Sequence, residues 1–226
     1  MPLLSVIVPV FNESKTIRQV IEKIQRIDID KEIIVVDDGS TDGTMGIISE
    51  LKLLNLKVIY HSSNRGKGAA FKSGLSNATG DYVLIQDADL EYNPEDYRKL
   101  ISAIKDCADE SLVLGVRFLG GYQGLFFHRL GNKALTGFLN LLYSSRLNDY
   151  ATCYKLASRK TFLNLDLKAN GFDIDVEIVC NAIKRKLRII EVPVSYIPRS
   201  YKEGKKIRLN DAFWAIFYMI KYRFGG

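Results

Sequence analysis

Four short polar clusters, each close behind an apolar run of four to eight residues, set the strongest limit on how this chain can fold. Leu3 to Val10 (LLSVIVPV) precedes Asn12-Glu13, and Glu32 to Val36 (EIIVV) precedes Asp37-Asp38. Lys57 to Tyr60 leads towards Asn64-Arg65, and Tyr82 to Ile85 towards Asp87-Ala88-Asp89. Apolar, β-branched runs of this length are buried strands. Between them lie helical stretches: Ile17, Val20, Ile21, Ile24 and Ile27 behind a cap at Asn12 or Ser14, then Thr41 to Leu54, then Gly68 to Ala78. Strand and helix alternating four times predict an α/β fold with a mainly parallel, Rossmann-like sheet flanked by helices. In such sheets ligands bind beyond the carboxyl ends of the strands. One polar cluster there is a turn; four on a common edge are a site.

The second half is less regular. The pattern predicts a helix from Pro94 to Ile104, a strand from Leu112 to Val116, and a glycine- and aromatic-rich loop from Phe118 to Phe127 over the site. Helices are expected near 128–143 and 174–186, and a strand pair near 188–197, punctuated by Pro193 and Pro198.

Composition closes off several function classes. The 47% apolar and 26% charged residues belong to a globular protein. Cys107, Cys153 and Cys180 are widely spaced with no CxxC pair, so neither a disulfide framework nor a zinc site is expected, and a reducing cytoplasm fits. His61 and His128 are the only histidines; there is no HExxH and no GxSxG. No apolar run reaches the roughly 18 residues of a membrane span, and Met1 to Val10 lacks the features of a signal peptide. The formal charge of +6 is uneven: residues 184–226 hold eleven Lys/Arg against three Asp/Glu, while the first 183 are slightly acidic. A basic end on a near-neutral body predicts an anionic partner.

Asp87-Ala88-Asp89 places two carboxylates on one side of an extended segment, and Glu91 continues the alternation, within reach of an ion or a ribose. Carboxylates that close repel each other unless a cation intervenes. A hard divalent ion, Mg²⁺ or Mn²⁺, suits oxygen ligands combined with substrate phosphates. Asp37 to Thr44 (DDGSTDGT) offers carboxylates to a base or ribose, and Asn64 to Gly68 (NRGKG) offers backbone N–H groups and two cations to an anion.

PVFNE (Pro9–Glu13), VVDDGSTDGT (Val35–Thr44), NRGKG (Asn64–Gly68) and DADLEYNPE (Asp87–Glu95) resemble successive motifs of the inverting family-two glycosyltransferases of the GT-A fold. VLGVRF (Val113–Phe118), HRLGN (His128–Asn132), DYATCYK (Asp149–Lys155), GFDIDVE (Gly171–Glu177) and RSYKEGKKI (Arg199–Ile207) resemble the dolichyl/polyprenyl-phosphate mannose and glucose synthases. The resemblance implies a GT-A domain over 1–207, with 1–92 the nucleotide-sugar half and 93–207 the acceptor half. Residues 208–226 then form a basic, aromatic C-terminal helix as an amphipathic extension. It implies that Pro9, Phe11, Glu13, Val36 and Asp38 surround the base and ribose of a GDP- or UDP-hexose, with Asn64 and Lys67 also on the donor. It implies that Asp87, Ala88, Asp89 and Glu91 hold the metal and diphosphate, with Asp87, Asp89 and Glu91 as metal ligands. Arg117, Arg199 and Lys205 or Lys206 then contact donor or acceptor phosphates.

A polyprenyl or dolichyl phosphate is already ionised near neutral pH, so transfer to it needs positioning cations rather than a base. Arg117, Arg129 and Arg199 are the candidates, because guanidinium pairs phosphate oxygens bidentately. Asp89, Arg117 and Arg199 are thus the expected catalytic residues, joined by Asp149 as the base if the acceptor is a hydroxyl. That alternative is a soluble glycosyltransferase acting on a saccharide or protein in cell-wall or surface polysaccharide synthesis. Leu209 to Lys221 is too short to span a bilayer, and its aromatic character and basic flanks suit a membrane surface. The expected location is cytoplasmic and peripheral on a membrane face. A dinucleotide oxidoreductase is disfavoured because Phe71 stands where the third glycine of GxGxxG belongs, and no nucleic-acid-binding motif is present.

Overall fold

The computed structural model describes residues 3–106, 110–118, 126–199 and 210–225. Its first strand, β1 (Leu4–Val10), is apolar at every position but Ser5 and almost wholly buried. Such a strand can only lie inside a sheet, and it pairs in parallel with β2 (Lys31–Asp37) on one side and β4 (Tyr82–Ile85) on the other. β3 (Leu56–Tyr60) adds to β2 in parallel at the edge of the sheet, and none of its five residues is fully buried. Helix α1 (Ile17–Arg26) connects β1 to β2 and buries Ile17, Val20, Ile21 and Ile24. Each of those side chains stabilises the fold by about 1.5–3 kcal/mol relative to exposure. α2 (Thr44–Ser49) and α3 (Lys67–Asn77) make the next two connections.

After a 3₁₀ turn at Pro94–Asp96 come α4 (Tyr97–Lys105), β5 (Ser111–Val116) and α5 (Phe126–Tyr143). They are followed by β6 (Lys155–Ser158), α6 (Arg159–Asn164), α7 (Ile174–Lys184), β7 (Arg188–Pro193) and α8 (Asn210–Phe224). The sheet order is β3-β2-β1-β4-β6-β5-β7. Four of its six pairings are parallel; β6 runs antiparallel to both β4 and β5. Because β6 is reversed, its amino end reaches the edge where the other six strands have their carboxyl ends. Both halves of the chain therefore deliver their loops to one rim.

The structure alters several expectations. β6 and α6 were not anticipated; a four-residue strand (KLAS) with no β-branched residue carries no periodic signal. α2 is less than half the expected length: Gly43 takes a left-handed φ of 91° so that the helix starts only at Thr44, and it ends at Ser49 rather than Leu54. Neither Asn12 nor Ser14 caps α1: Thr16 holds that position, the Asn12 side chain accepts from the Thr41 N–H, and the Ser14 N–H donates to Asp42. Around 188–197 there is one strand, not two, followed by a single bridge between Tyr92 and Tyr196. Asp87 to Glu91 is a turn rather than an extended segment, and Leu90 adopts a φ of 66°. The simple alternation of carboxylates is therefore lost. Most of the Phe118–Phe127 loop, and Lys205 and Lys206, lie outside the described residues.

Candidate active site

Arg199 lies six residues beyond β7 and ties three elements together. Its guanidinium meets Glu13, just past β1, with Nη1 3.0 Å from Oε2 and Nη2 3.3 Å from Oε1. Nη2 also reaches Oδ2 of Asp89 at 3.1 Å, and Nε lies 3.8 Å from Glu91 Oε1. Nε is buried with no hydrogen-bond partner among the described residues. Glu91 is held in turn by the Arg199 N–H (2.8 Å) and the Tyr196 hydroxyl (2.6 Å). Burial opposes the charge on Arg199, yet the carboxylates around it raise its pKa. Three acids against one base leave a negative surplus. It appears at Asp89, where burial first, then Asp87 and Glu91, push the carboxyl up to about 7 despite Arg199.

Asp87 faces the other way. Its Oδ1 pairs with Nζ of Lys67 at 2.9 Å, and the same ammonium donates to Asp175 Oδ2 at 3.0 Å. Asp175, in the first turn of α7, accepts from Lys155 Nζ at 2.7 Å through its other oxygen. Lys155 is fully buried and also donates to the Thr152 carbonyl. Lys155 and Asp175 were not picked out individually from the sequence, although both fall within motifs noted there. A lone Lys and a helix-start Asp look ordinary until the fold joins them.

Arg117, just past β5, forms a bidentate pair with Asp149: Nε to Oδ2 and Nη2 to Oδ1, both at 2.7 Å. The Arg117 N–H adds a third bond, and its guanidinium lies 5.2 Å from the ring centroids of Phe118 and Tyr196. Asp149 is wholly buried, with both oxygens committed to Arg117. In this arrangement it holds the arginine rather than opening towards an acceptor hydroxyl. Arg129, near the start of α5, has a buried Nε without a partner among the described residues.

At the carboxyl ends of β1 and β2, Pro9 and Val36 are cross-strand partners, with Phe11 beyond them half-buried. Asp38 is buried and anchors the β3–α3 loop. Its Oδ1 lies 2.6 Å from His61 Nδ1 and accepts the Arg65 N–H, while Oδ2 accepts the Gly66 N–H at 2.7 Å. His61, which no motif had singled out, extends this link to Ser73. Asn64 is exposed on the same loop, and the buried Ala88 offers its carbonyl to the Thr16 hydroxyl at 2.7 Å. Gly66 needs to be glycine twice over: its φ is 96°, and a Cβ would collide with the Asn170 carbonyl.

Among the described residues, no three acidic, Cys or His side chains converge as a ready metal cage. Mg²⁺ and its like are usually held by one or two carboxylates plus substrate phosphates rather than by an all-protein cage. Asp87 and Asp89 supply hard oxygen donors on one turn, with Glu91 beside them. The donor set fits a divalent ion.

Residues 5–164 match the family described as Glycosyl transferase family 2. Similar curated proteins include the low-salt glycan biosynthesis hexosyltransferase Agl6 of Haloferax volcanii, 31% identical over 88% of this chain and 48% of that protein. Glycosyltransferase AglJ of the same organism is 28% identical over 86% of this chain and 63% of its own length. The undecaprenyl-phosphate 4-deoxy-4-formamido-L-arabinose transferase of Proteus mirabilis is 27% identical over 89% of this chain and 62% of its own. The chain thus spans about half to just under two thirds of these relatives. Among solved structures, glucosyl-3-phosphoglycerate synthase from Mycobacterium tuberculosis with UDP superposes with a TM-score of 0.76 at 22% identity, covering 98% of this chain and 80% of that one. The same enzyme with Mn²⁺, UDP and phosphoglyceric acid gives 0.75 at 23%, covering 98% and 78%. The fold is GT-A, as the motifs led one to expect.

Proposed function

The chain belongs to glycosyl transferase family 2, and we propose that it moves a hexose from a GDP- or UDP-sugar to a polyprenyl or dolichyl phosphate, with inversion. The observation that carries this reading is Arg199, a basic residue of the acceptor half locked among the carboxylates of the donor half. The donor would lie over Pro9, Phe11, Glu13, Val36 and Asp38, beside Asn64, Lys67 and Ala88. Asp87 and Asp89, with Glu91 alongside, would hold Mg²⁺ or Mn²⁺, which when bound neutralises charge on the diphosphate.

The remaining chemistry belongs to the chain itself. Arg117, fixed by Asp149, together with Arg129 and Arg199, would bind the ionised acceptor phosphate and aim it at the sugar. Lys205 or Lys206 would add charge to the donor phosphates. With an acceptor already ionised no general base is required, which agrees with the engaged state of Asp149. The three curated relatives are named as a hexosyltransferase, a glycosyltransferase and an undecaprenyl-phosphate sugar transferase, which supports the same direction.

No helix among the described residues is long and apolar enough to cross a membrane. α8 nevertheless exposes Phe213, Trp214, Phe217, Ile220 and Phe224, with Lys221 and Arg223 near them. Aromatic and basic residues so arranged suit peripheral attachment to the cytoplasmic face of a membrane, where the lipid acceptor resides. The deciding assay offers purified protein, Mn²⁺ and a panel of nucleotide sugars with polyprenyl phosphate beside a free saccharide. Transfer to the lipid phosphate is expected; transfer only to the saccharide would overturn the lipid reading in favour of a hydroxyl acceptor.

A further inference from the structure

Four charges of alternating sign run from the donor rim into the interior: Asp87, Lys67, Asp175 and Lys155. The last two have no part in the donor or acceptor contacts proposed above. A buried ammonium is retained in a fold only when it is paired, and Lys155 spends its charge on Asp175. Asp175 commits one oxygen to Lys155 and the other to Lys67, so Lys67 is shared between Asp175 and Asp87. Lys67 touches both carboxylates, so Asp175 divides the lysine's charge with Asp87, and Lys155 limits how large a share Asp175 takes.

The backbone keeps these partners in place. The Gly68 N–H donates to the Gly171 carbonyl at 3.1 Å and the Ala69 N–H to the Asn170 carbonyl at 3.0 Å. The start of α3, which carries Lys67, is thus fixed to the segment leading into α7, which carries Asp175. With the elements clamped, the balance at Lys67 is decided by charge rather than by movement.

We propose that Lys155 and Asp175 are positioning residues for Asp87, setting through Lys67 how far its carboxylate is free to meet a divalent cation and the donor diphosphate. This rests on the donor-site reading above. Its consequence is a pair of opposite signs. With Asp175→Asn, Lys67 loses a competing anion and its charge is left to Asp87 alone, so cation affinity falls. With Lys155→Met, Asp175 takes more of Lys67, Asp87 is released, and cation affinity rises. A purely structural role moves both in the same direction.

The test is Mn²⁺ binding in the presence of UDP, followed by the electron paramagnetic resonance of free Mn²⁺. It compares wild type, D175N, K155M, K67M and the K67M/D175N double variant. D175N should weaken binding by about 10- to 100-fold, the range for outer residues that orient metal ligands. K155M should tighten it, and the D175N effect should largely vanish in the K67M background. D175N and K155M shifting the same way, or D175N binding as wild type does, would overturn the proposal. Should K155M fail to fold, the cycle of the near-isosteric D175N with K67M decides alone. Wild type that does not bind Mn²⁺ with UDP would overturn the donor-site reading as well, a result distinct from equal binding by wild type and variants.

Discussion

Asp89 is where the site is electrically least at ease. Its carboxyl titrates at about 7 rather than near 4, because of burial and of Asp87 and Glu91 beside it. A raised acid favours the protonated form, so the free protein loses stability as pH climbs from about 4 through 7. A cation at the site removes that penalty. Thermal stabilisation by Mn²⁺ should therefore grow between pH 6 and pH 8, and Asp89→Asn should flatten the trend and abolish turnover while still folding. Equal Mn²⁺ shifts at both pH values in wild type would contradict this. Asp149 answers to a different balance, since replacing one member of a buried pair leaves the other uncompensated. Asp149→Asn should cost about 3–5 kcal/mol, read from urea unfolding. Glu13, Asp89, Arg117 and Arg199 are visible in the sequence by type and by position after a strand, and Asp149 only through its motif. Their partners are not: Arg199 and Glu13 are 186 residues apart, and no local pattern encodes such a meeting. Asp38 shows the same limit: its bonds to the Arg65 and Gly66 amides join residues 27 and 28 positions apart, which no local pattern announces.

Among the elements, α8 makes the sharpest prediction. It is fastened to the body by the buried Met219, whose carbonyl accepts the Tyr143 hydroxyl, by Lys184 on the Tyr222 carbonyl, and by the Tyr222 hydroxyl on Asp173. Phe213, Trp214 and Phe217 take no part in those ties and are about half or more exposed. Changing all three to Ser should remove binding to anionic vesicles in a flotation assay, with the melting temperature little altered. Unchanged flotation would separate α8 from the membrane. The helix itself was legible because apolar residues and basic flanks announce it. The predicted span of α2 is too long at both ends because Thr41 to Leu54 has helical composition throughout, whereas the left-handed Gly43 that delays its start and the stop after Ser49 are matters of backbone. β6 was missed for the opposite reason. Four residues held by neighbours on both sides need no signal of their own.

At the scale of the molecule, the alternation of strands and helices specified the parallel character of the first half of the sheet but not its strand order, which only the pairings of the fold reveal. The reversed β6 came from tertiary pairing alone, and it is what fuses the two halves: it bonds to β4 of the first and β5 of the second. The chain should accordingly unfold in one cooperative step, with near- and far-ultraviolet circular dichroism superimposing. Two separated transitions would mean that the halves are independent. The arginine clamped by Glu13 and Asp89 has a consequence in steady-state kinetics. While it occupies those carboxylates it is withheld from any acceptor phosphate, and the arriving donor complex competes for the same oxygens. Addition should be compulsory-ordered, donor before acceptor. The nucleoside diphosphate product should then inhibit competitively against the donor and non-competitively against the acceptor, and excess polyprenyl phosphate should not block entry of the nucleotide sugar.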